Sequence, residues 1–146
     1  MEYRASRRLS APSGKDNTSS EREKNDARGD GRACMKAIIL GSGTAIPLND
    51  RGSPAIVVVI DGKPVLFDLG PGTLRQLTRA GINYEQIEHI FVTHFHPDHT
   101  GDLVHLLFAS RNPAVLRRRR PFKVAGPPGI ARLIADLQAA YPGWLE

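Results

Sequence analysis

The chain has 146 residues, a net charge of +5 and a single cysteine, Cys34. This length allows at most one ordinary domain with a modest core. One cysteine excludes an internal disulfide framework and is typical of a reducing, cytoplasmic compartment. No apolar run approaches the ~20 residues of a membrane span, and no apolar segment follows the basic N-terminal residues as in a secretory signal. The positive charge is compatible with an anionic partner such as RNA.

The first 34 residues differ in composition from the rest of the chain. They are rich in Ser, Arg, Asp, Glu, Asn and Gly and carry few large apolar side chains, so burial cannot offset the entropy lost on ordering. We therefore predict a disordered extension at residues 1–34 and a folded domain at residues 35–146. Met35 stands at the entry to the first predicted strand, and we hypothesise that it is the natural start. An N-terminal peptide from residues 1–34 in the native protein would refute this.

Three strands are predicted in the first half of the domain. Residues 36–40 are an apolar run closed by a Gly-Ser-Gly turn. Ala55–Ile60 is a continuous β-branched run, which predicts a strand buried on both faces. Asp61-Gly62 then indicates a hairpin that leads into the third strand, Lys63–Phe67.

Helical segments follow, each with a predicted cap. Thr73 is placed to cap a helix that Gly81 ends, and Asn83 is placed to cap one more short turn before a strand at residues 89–93. Further on, Thr100 or Asp102 is placed to cap a helix that runs to about residue 109.

Four consecutive arginines occupy residues 117–120. They fit a solvated loop between a helix and the next strand at residues 122–125, and they also fit contacts with phosphates. No aromatic residues interleave with the run, which favours the solvated loop. A last helix is predicted from residue 130, after the turn Gly-Pro-Pro-Gly.

The strongest chemical signal lies between the fourth strand and the helix after it. His94 and His96 are two residues apart in an extended segment, so their side chains point the same way. Pro97 favours extended geometry at His96, and the chain can then turn to bring Asp98 and His99 to a second point nearby. Imidazole and carboxylate are good ligands for Zn²⁺, and Mn²⁺ or Fe²⁺ accept the same set.

This ligand-rich tract is too dense for a typical surface turn. Two-metal hydrolases hold their ions about 3.5–4 Å apart, so adjacent ligand clusters on one tight loop suit that chemistry. The alternative is a solvated histidine-rich turn, which a lone histidine would favour. We predict a metal-binding loop and expect His89 and His105, which flank it, to be ordinary strand and helix residues.

The sequence His94-x-His96-x-Asp98-His99 resembles the signature of the metallo-beta-lactamase superfamily. Leu-Gly-Ser-Gly-Thr-Ala-Ile-Pro at residues 40–47 and Phe-Asp-Leu-Gly-Pro-Gly-Thr at residues 67–73 are similar to the ribonuclease Z-like branch. The resemblance implies an α/β (α+β) fold: the N-terminal half of an αββα sandwich, with a mixed β-sheet and flanking helices.

The resemblance also implies roles for individual residues. His94 and His96 would hold one ion, and Asp98 and His99 the other, with one or two Zn²⁺ bound. Asp98 would also handle the proton of the attacking water, the substrate would be a precursor tRNA 3′ end, and a homodimer is an expected assembly. Asp68 would lie beside the metal loop and orient it, although from the residues alone it could equally cap its own turn.

The same resemblance makes the site incomplete. The superfamily completes its metal site with His and Asp residues from a second half, and all five histidines here precede the last third of the chain. We therefore expect this chain to be the N-terminal half of a longer enzyme. Its single sheet should then expose the apolar face that a second sheet would cover.

Three functions remain open. The first is a ribonuclease Z-like endonuclease of tRNA 3′ processing. The second is another hydrolase of the superfamily, acting on a thioester, lactone, sulfate or cyclic nucleotide, because Pro97 stands where Gly is expected and no RNA-gripping arm is recognisable. The third is a metal-binding fragment without turnover.

Overall fold

The computed structural model describes residues 34–116 and 121–145. The predicted N-terminal extension, apart from Cys34, and the four arginines at 117–120 lie outside the described residues. The described elements, in chain order, are β1 (Met35–Gly41), β2 (Ala55–Ile60), β3 (Lys63–Phe67), α1 (Thr73–Arg79), a 3₁₀ turn (Tyr84–Gln86), β4 (His89–Phe91), α2 (Pro97–Thr100), α3 (Leu103–Ser110), α4 (Pro113–Leu116), β5 (Lys123–Ala125) and α5 (Ile130–Ala140). None of these helices is long and apolar enough to cross a membrane.

The strands form one mixed sheet in the order β1-β2-β3-β4-β5. The first three strands pair antiparallel, whereas β4 runs parallel to both β3 and β5. The predicted hairpin is confirmed, because Ile60 pairs with Lys63 across the two-residue turn. Asp61 (φ 47°) and Gly62 (φ 79°) both adopt the left-handed backbone that such a turn requires.

One face of the sheet and the helices packed against it form the core. Successive side chains of a strand alternate between faces, and Val57, Leu66 and Ile90 pair across β2, β3 and β4 on the buried face. Helices α1 and α3 contribute the buried leucines Leu74, Leu77, Leu103 and Leu106 to the same cluster. This core fixes the ends of β3 and β4, where the candidate site lies.

The opposite face of the sheet carries an apolar row that faces solvent. Ile39, Ile56, Phe67 and Phe91 pair in register across four strands and are 69%, 40%, 36% and 40% exposed. The expectation of an exposed apolar sheet face is confirmed. The prediction that β2 is buried on both faces is wrong for the described residues, because no second layer among them covers this side.

The predicted cap of α1 is wrong, and that of α3 is confirmed in position only. The N-cap of α1 is Gly72 (φ 87°), and the Thr73 hydroxyl instead donates to the Gly70 carbonyl at 2.7 Å. Asp102 is at the N-cap position of α3 but makes no cap bond, because its Oδ2 accepts from the Leu74 N–H at 2.8 Å. The Asn83 cap is confirmed, with Oδ1 accepting from the Glu85 N–H at 3.0 Å.

Candidate metal centre

The candidate ligands lie beyond the carboxyl ends of two parallel strands. Because Phe67 pairs with Phe91 in parallel register, the residues that follow each strand leave the sheet at the same edge. Asp68 comes directly after β3, and His94 comes three residues after the end of β4. Functional groups of open α/β sheets gather at this edge.

The three histidines of the loop cluster around one point. The ring centroid of His94 lies 4.5 Å from that of His96 and 4.0 Å from that of His99. Asp98 Oδ2 is 3.7 Å from His99 Nε2. Pro97 is the first residue of the short helix α2, where its missing N–H costs nothing. The predicted turn is therefore one helical turn, and it brings His99 back beside His94, with Asp98 next to His99.

Asp68 connects to this cluster through four close contacts. Its Oδ1 accepts from the Thr93 N–H at 2.8 Å, and the Thr93 hydroxyl lies 3.1 Å and 2.9 Å from its two carboxylate oxygens. Asp68 Oδ2 is 2.8 Å from His99 Nδ1. Since an ionised carboxylate only accepts hydrogen bonds, Nδ1 of His99 is the donor in this contact, and in the neutral imidazole Nε2 is the nitrogen that presents a lone pair.

Thr93 extends the same arrangement to His94. The Thr93 hydroxyl donates to Asp68 and lies 2.9 Å from His94 Nδ1. A hydroxyl that donates its one proton to Asp68 can only accept from His94, so Nδ1 of His94 is the donor, and in the neutral imidazole Nε2 presents a lone pair. Sequence reasoning assigned Thr93 no role; its position between the strand and the motif was the available signal.

Backbone contacts lock the loop after β3 against the metal loop. The Leu69 N–H donates to the His99 carbonyl at 2.8 Å, and the Asp102 N–H donates to the Leu69 carbonyl at 2.9 Å. A Cβ at Gly70 would overlap the Asp98 carbonyl oxygen and approach Ser53 Cβ to 2.5 Å. Only glycine allows this approach, so Gly70 helps to set where the ligand loop lies.

A cavity of about 550 Å³ opens beside Asp98. One wall is the metal loop, with Pro97 and Asp98, and the other is the loop between β1 and β2, including Thr44, Pro47 and Arg51. That second loop is closed at its base, where the Gly43 N–H donates to the Gly52 carbonyl at 2.8 Å. The cavity is therefore placed to bring a substrate group to the candidate ligands.

The side chains of the loop form two pairs of donors, and each pair suits a divalent metal ion. His94 with His96, and Asp98 with His99, are neighbouring pairs of the nitrogen and oxygen donors that zinc accepts. Within the described residues no group of three or more His, Cys, Asp or Glu side chains is arranged to hold one ion. Each pair therefore fits part of a coordination shell, since catalytic zinc normally keeps about three protein ligands.

The two flanking histidines lie outside the cluster. His89 is exposed at the start of β4. His105 is 61% exposed on α3, with its Nδ1 3.9 Å from Asp102 Oδ1. Neither ring is among the close ring contacts of the three loop histidines.

Comparisons with known proteins agree with this geometry. Ribonuclease Z of Pyrococcus abyssi is 36% identical over 103 residues, which are 70% of this chain and 33% of the relative. The crystal structure of human tRNase Z, short form, is 31% identical with a TM-score of 0.64, over 77% of this chain and 41% of the other. A diphosphatase of the PhnP family is 26% identical with a TM-score of 0.52, over 73% and 48%.

The chain spans about a third of the length of the curated relatives it matches. The family model of the metallo-beta-lactamase superfamily matches residues 48–132, more than half of the 146 residues, and the match includes the whole metal loop. Membership in that superfamily implies a divalent-metal site. The five-stranded mixed sheet, the ligand loop at its edge and this match agree: the chain belongs to the metallo-beta-lactamase superfamily.

Proposed function

We propose that this chain carries part of the active site of a ribonuclease Z-like hydrolase, which cuts a phosphodiester at the 3′ end of precursor tRNA. The observation that carries the proposal is the hydrogen-bonded network of Asp68 and Thr93, which contacts Nδ1 of His94 and of His99 and leaves Nε2 of each ring for a metal ion. The similarity to Ribonuclease Z of Pyrococcus abyssi and to human tRNase Z supports this substrate class.

In this proposal each donor has a distinct role. His94 and His96 hold one ion, and Asp98 and His99 hold the other, with zinc favoured and Mn²⁺ or Fe²⁺ also suited to the donors. Ions in such sites activate water at neutral pH and stabilise charge on a phosphoryl group. Asp68 orients His99 and, through Thr93, His94. Asp98 lies at the wall of the cavity, where its carboxylate accepts the proton of the attacking water.

The proposal keeps the domain boundary predicted from composition, with a metallo-beta-lactamase-like portion at residues 35–146. The remaining ligands come from protein outside this portion. A homodimer stays a prediction, as does a cytoplasmic location.

A second candidate is hydrolysis of a smaller phosphate ester. The structural similarity to a diphosphatase favours it, and so does Pro97, which stands where the ribonuclease Z-like motif is expected to have Gly. Both candidates use the same donors on a phosphoryl group. They differ in how much of the substrate lies outside the cavity beside Asp98.

The test is hydrolysis of a substrate panel by the zinc-loaded enzyme in which this portion is joined to the part that supplies the remaining ligands. We expect cleavage of bis-p-nitrophenyl phosphate and of a precursor tRNA, and no cleavage of a thioester or a lactone. The His94→Ala, His96→Ala double variant should lose this activity, and His105→Ala, which changes an exposed histidine outside the cluster, should keep it. Preference for the thioester or lactone would overturn the proposal. Cleavage of the small diester without the tRNA would favour the second candidate.

A further inference from the structure

A groove at the C-terminal end of helix α3 has aromatic and cationic side chains in its lining. Its volume is about 410 Å³, and three aromatic side chains line it together with a cation: Tyr84, Phe108, Trp144 and Arg111. None of the described residues that line it is Asp or Glu. We propose that this groove is a stacking site for the bases of a single-stranded RNA segment. The inference rests on the proposed function, because it assigns a second contact surface to the same substrate.

The two most exposed rings form a platform of fixed geometry. Trp144 is 62% exposed and Phe108 is 51% exposed, and their ring centroids lie 6.0 Å apart at 58°. This separation is within the range of a favourable aromatic pair. Each ring therefore holds the other in place while its outer face stays open to a base. Bases of any sequence stack on such faces.

The segment that carries Trp144 is anchored on both sides of the ring. The backbone N–H of Trp144 donates to the Tyr141 carbonyl at 3.1 Å, and the next residue, Leu145, is 3% exposed. Gln138 Nε2 of α5 donates to the Leu145 carbonyl at 3.1 Å. The indole is therefore exposed although the segment that carries it is held by hydrogen bonds and by the buried Leu145.

Charge favours a polyanion as the occupant. Arg111 is exposed at the end of α3 and has no hydrogen bond or ion pair with another side chain in the described ranges. The four arginines at 117–120 follow a few residues later in the sequence, and the whole chain carries +5. Aromatic faces combined with cations are the usual composition of single-strand binding surfaces.

Helix α3 runs from the region of the metal loop to the groove. Helix α3 begins after Asp102, whose N–H donates to the Leu69 carbonyl beside the ligands. Phe108 lies six residues further along, or ~9 Å at the helical rise of 1.5 Å per residue. A stacked single strand covers that distance in about three nucleotides at ~3.4 Å each.

Trp144 is the only tryptophan of the chain, so its fluorescence reports directly on the groove. The full chain, free of metal, is titrated with a single-stranded oligoadenylate of about eight nucleotides, within the usual site sizes of such surfaces. We expect saturable quenching that weakens as salt rises. Phe108→Ala should weaken binding about tenfold, in the range of one lost stacking contact, and Phe108→Leu provides a variant that keeps the apolar packing.

Matched controls separate charge from stacking. Arg111→Gln should reduce the salt slope by about 0.7, as for one lost phosphate contact on a single strand. Arg75→Gln removes the same charge from an exposed site on α1 and should have a smaller effect. An abasic oligonucleotide of equal length keeps the phosphates and removes the bases, so it should quench much less.

Three outcomes would overturn the inference. They are absence of quenching in a folded protein, equal quenching by the abasic strand, and a Trp144 signal that changes with protein concentration alone, which would assign the groove to a second copy of the chain. The titration does not depend on hydrolysis. Quenching that persists in the His94→Ala, His96→Ala variant while diester cleavage is lost would support both proposals. Cleavage without quenching would overturn this inference and leave the proposed function standing.

Discussion

Asp68 and His99 are 31 positions apart in the sequence, and their Oδ2 and Nδ1 atoms are 2.8 Å apart in the structure. This contact fixes which nitrogen of His99 presents a lone pair. It also joins the end of β3 to the ligand loop after β4, so the sheet itself sets the direction of the imidazole.

Asp68→Asn should lower zinc affinity about 10- to 100-fold, the usual effect of losing a group that orients a metal-binding histidine. Asparagine tolerates the left-handed backbone of this position (φ 57°), so the substitution removes the charge with little backbone strain. Zinc affinity is measured by competition with a chromophoric chelator. Asp136→Asn, which removes a carboxylate from the exposed Arg132 pair on α5, is the control. Equal affinity in both variants would contradict the orienting role.

Gly70→Ala should destabilise the domain much more than Gly72→Ala. A Cβ at Gly70 meets the Asp98 carbonyl and Ser53, whereas a Cβ at Gly72 meets nothing within 4 Å. We expect a loss of about 3 kcal/mol or more at Gly70 from overpacking, against about 1–2 kcal/mol at Gly72 from its left-handed backbone (φ 87°). Urea denaturation of both variants gives the free energies of unfolding. A similar decrease in the free energy of unfolding for both variants would contradict a tight contact between Gly70 and the Asp98 carbonyl.

Asp102→Ala should lower the free energy of unfolding by about 1–3 kcal/mol, because it leaves the buried Leu74 N–H at the start of α1 without an acceptor. Asp102→Asn keeps an oxygen at that position and should cost less. The comparison is again the free energy of unfolding, with zinc removed so that only packing is measured. If alanine and asparagine cost the same, the 2.8 Å bond between Asp102 and Leu74 contributes little.

The exposed face of the sheet should drive association of the isolated chain. Phe67 and Phe91 stack there with centroids 5.3 Å apart, and contiguous apolar patches of this kind promote contacts. The Phe67→Thr, Phe91→Thr double variant should show less concentration-dependent light scattering than the parent chain. Ile46→Thr removes a more exposed apolar side chain (72%) from the β1–β2 loop and is the control. Unchanged scattering in the double variant would place the association surface elsewhere.

The sequence was most informative where local chemistry decides the structure. The Asp61-Gly62 turn, the Asn83 cap and the stop of α1 just before Gly81 (φ 72°) each depend on the local preference of one or two residues, and all three are confirmed. The ligand loop was recognisable because its donors are close together in the chain.

What the sequence could not supply depends on contacts between distant residues. Asp102 precedes a helix and looks like its cap, yet its carboxylate is used by Leu74, 28 positions away. The β-branched run of β2 predicts burial on both faces. Ile56 is nevertheless exposed, because its burial depends on a second layer and not on the sequence of the strand itself. The role of Thr93 requires both His94 and Asp68 to be in place, and only the fold brings them together.

The most direct test of the account is zinc binding by the folded 146-residue chain, measured by titration and compared with the His94→Ala, His96→Ala double variant. His105→Ala is the matched control. Because each donor pair fills only part of a coordination shell, we predict weak but saturable zinc binding, a clear reduction in the double variant and no change in the control. A folded chain that binds no zinc, or a double variant that binds zinc as well as the parent chain, would contradict the assignment of this loop as the metal centre.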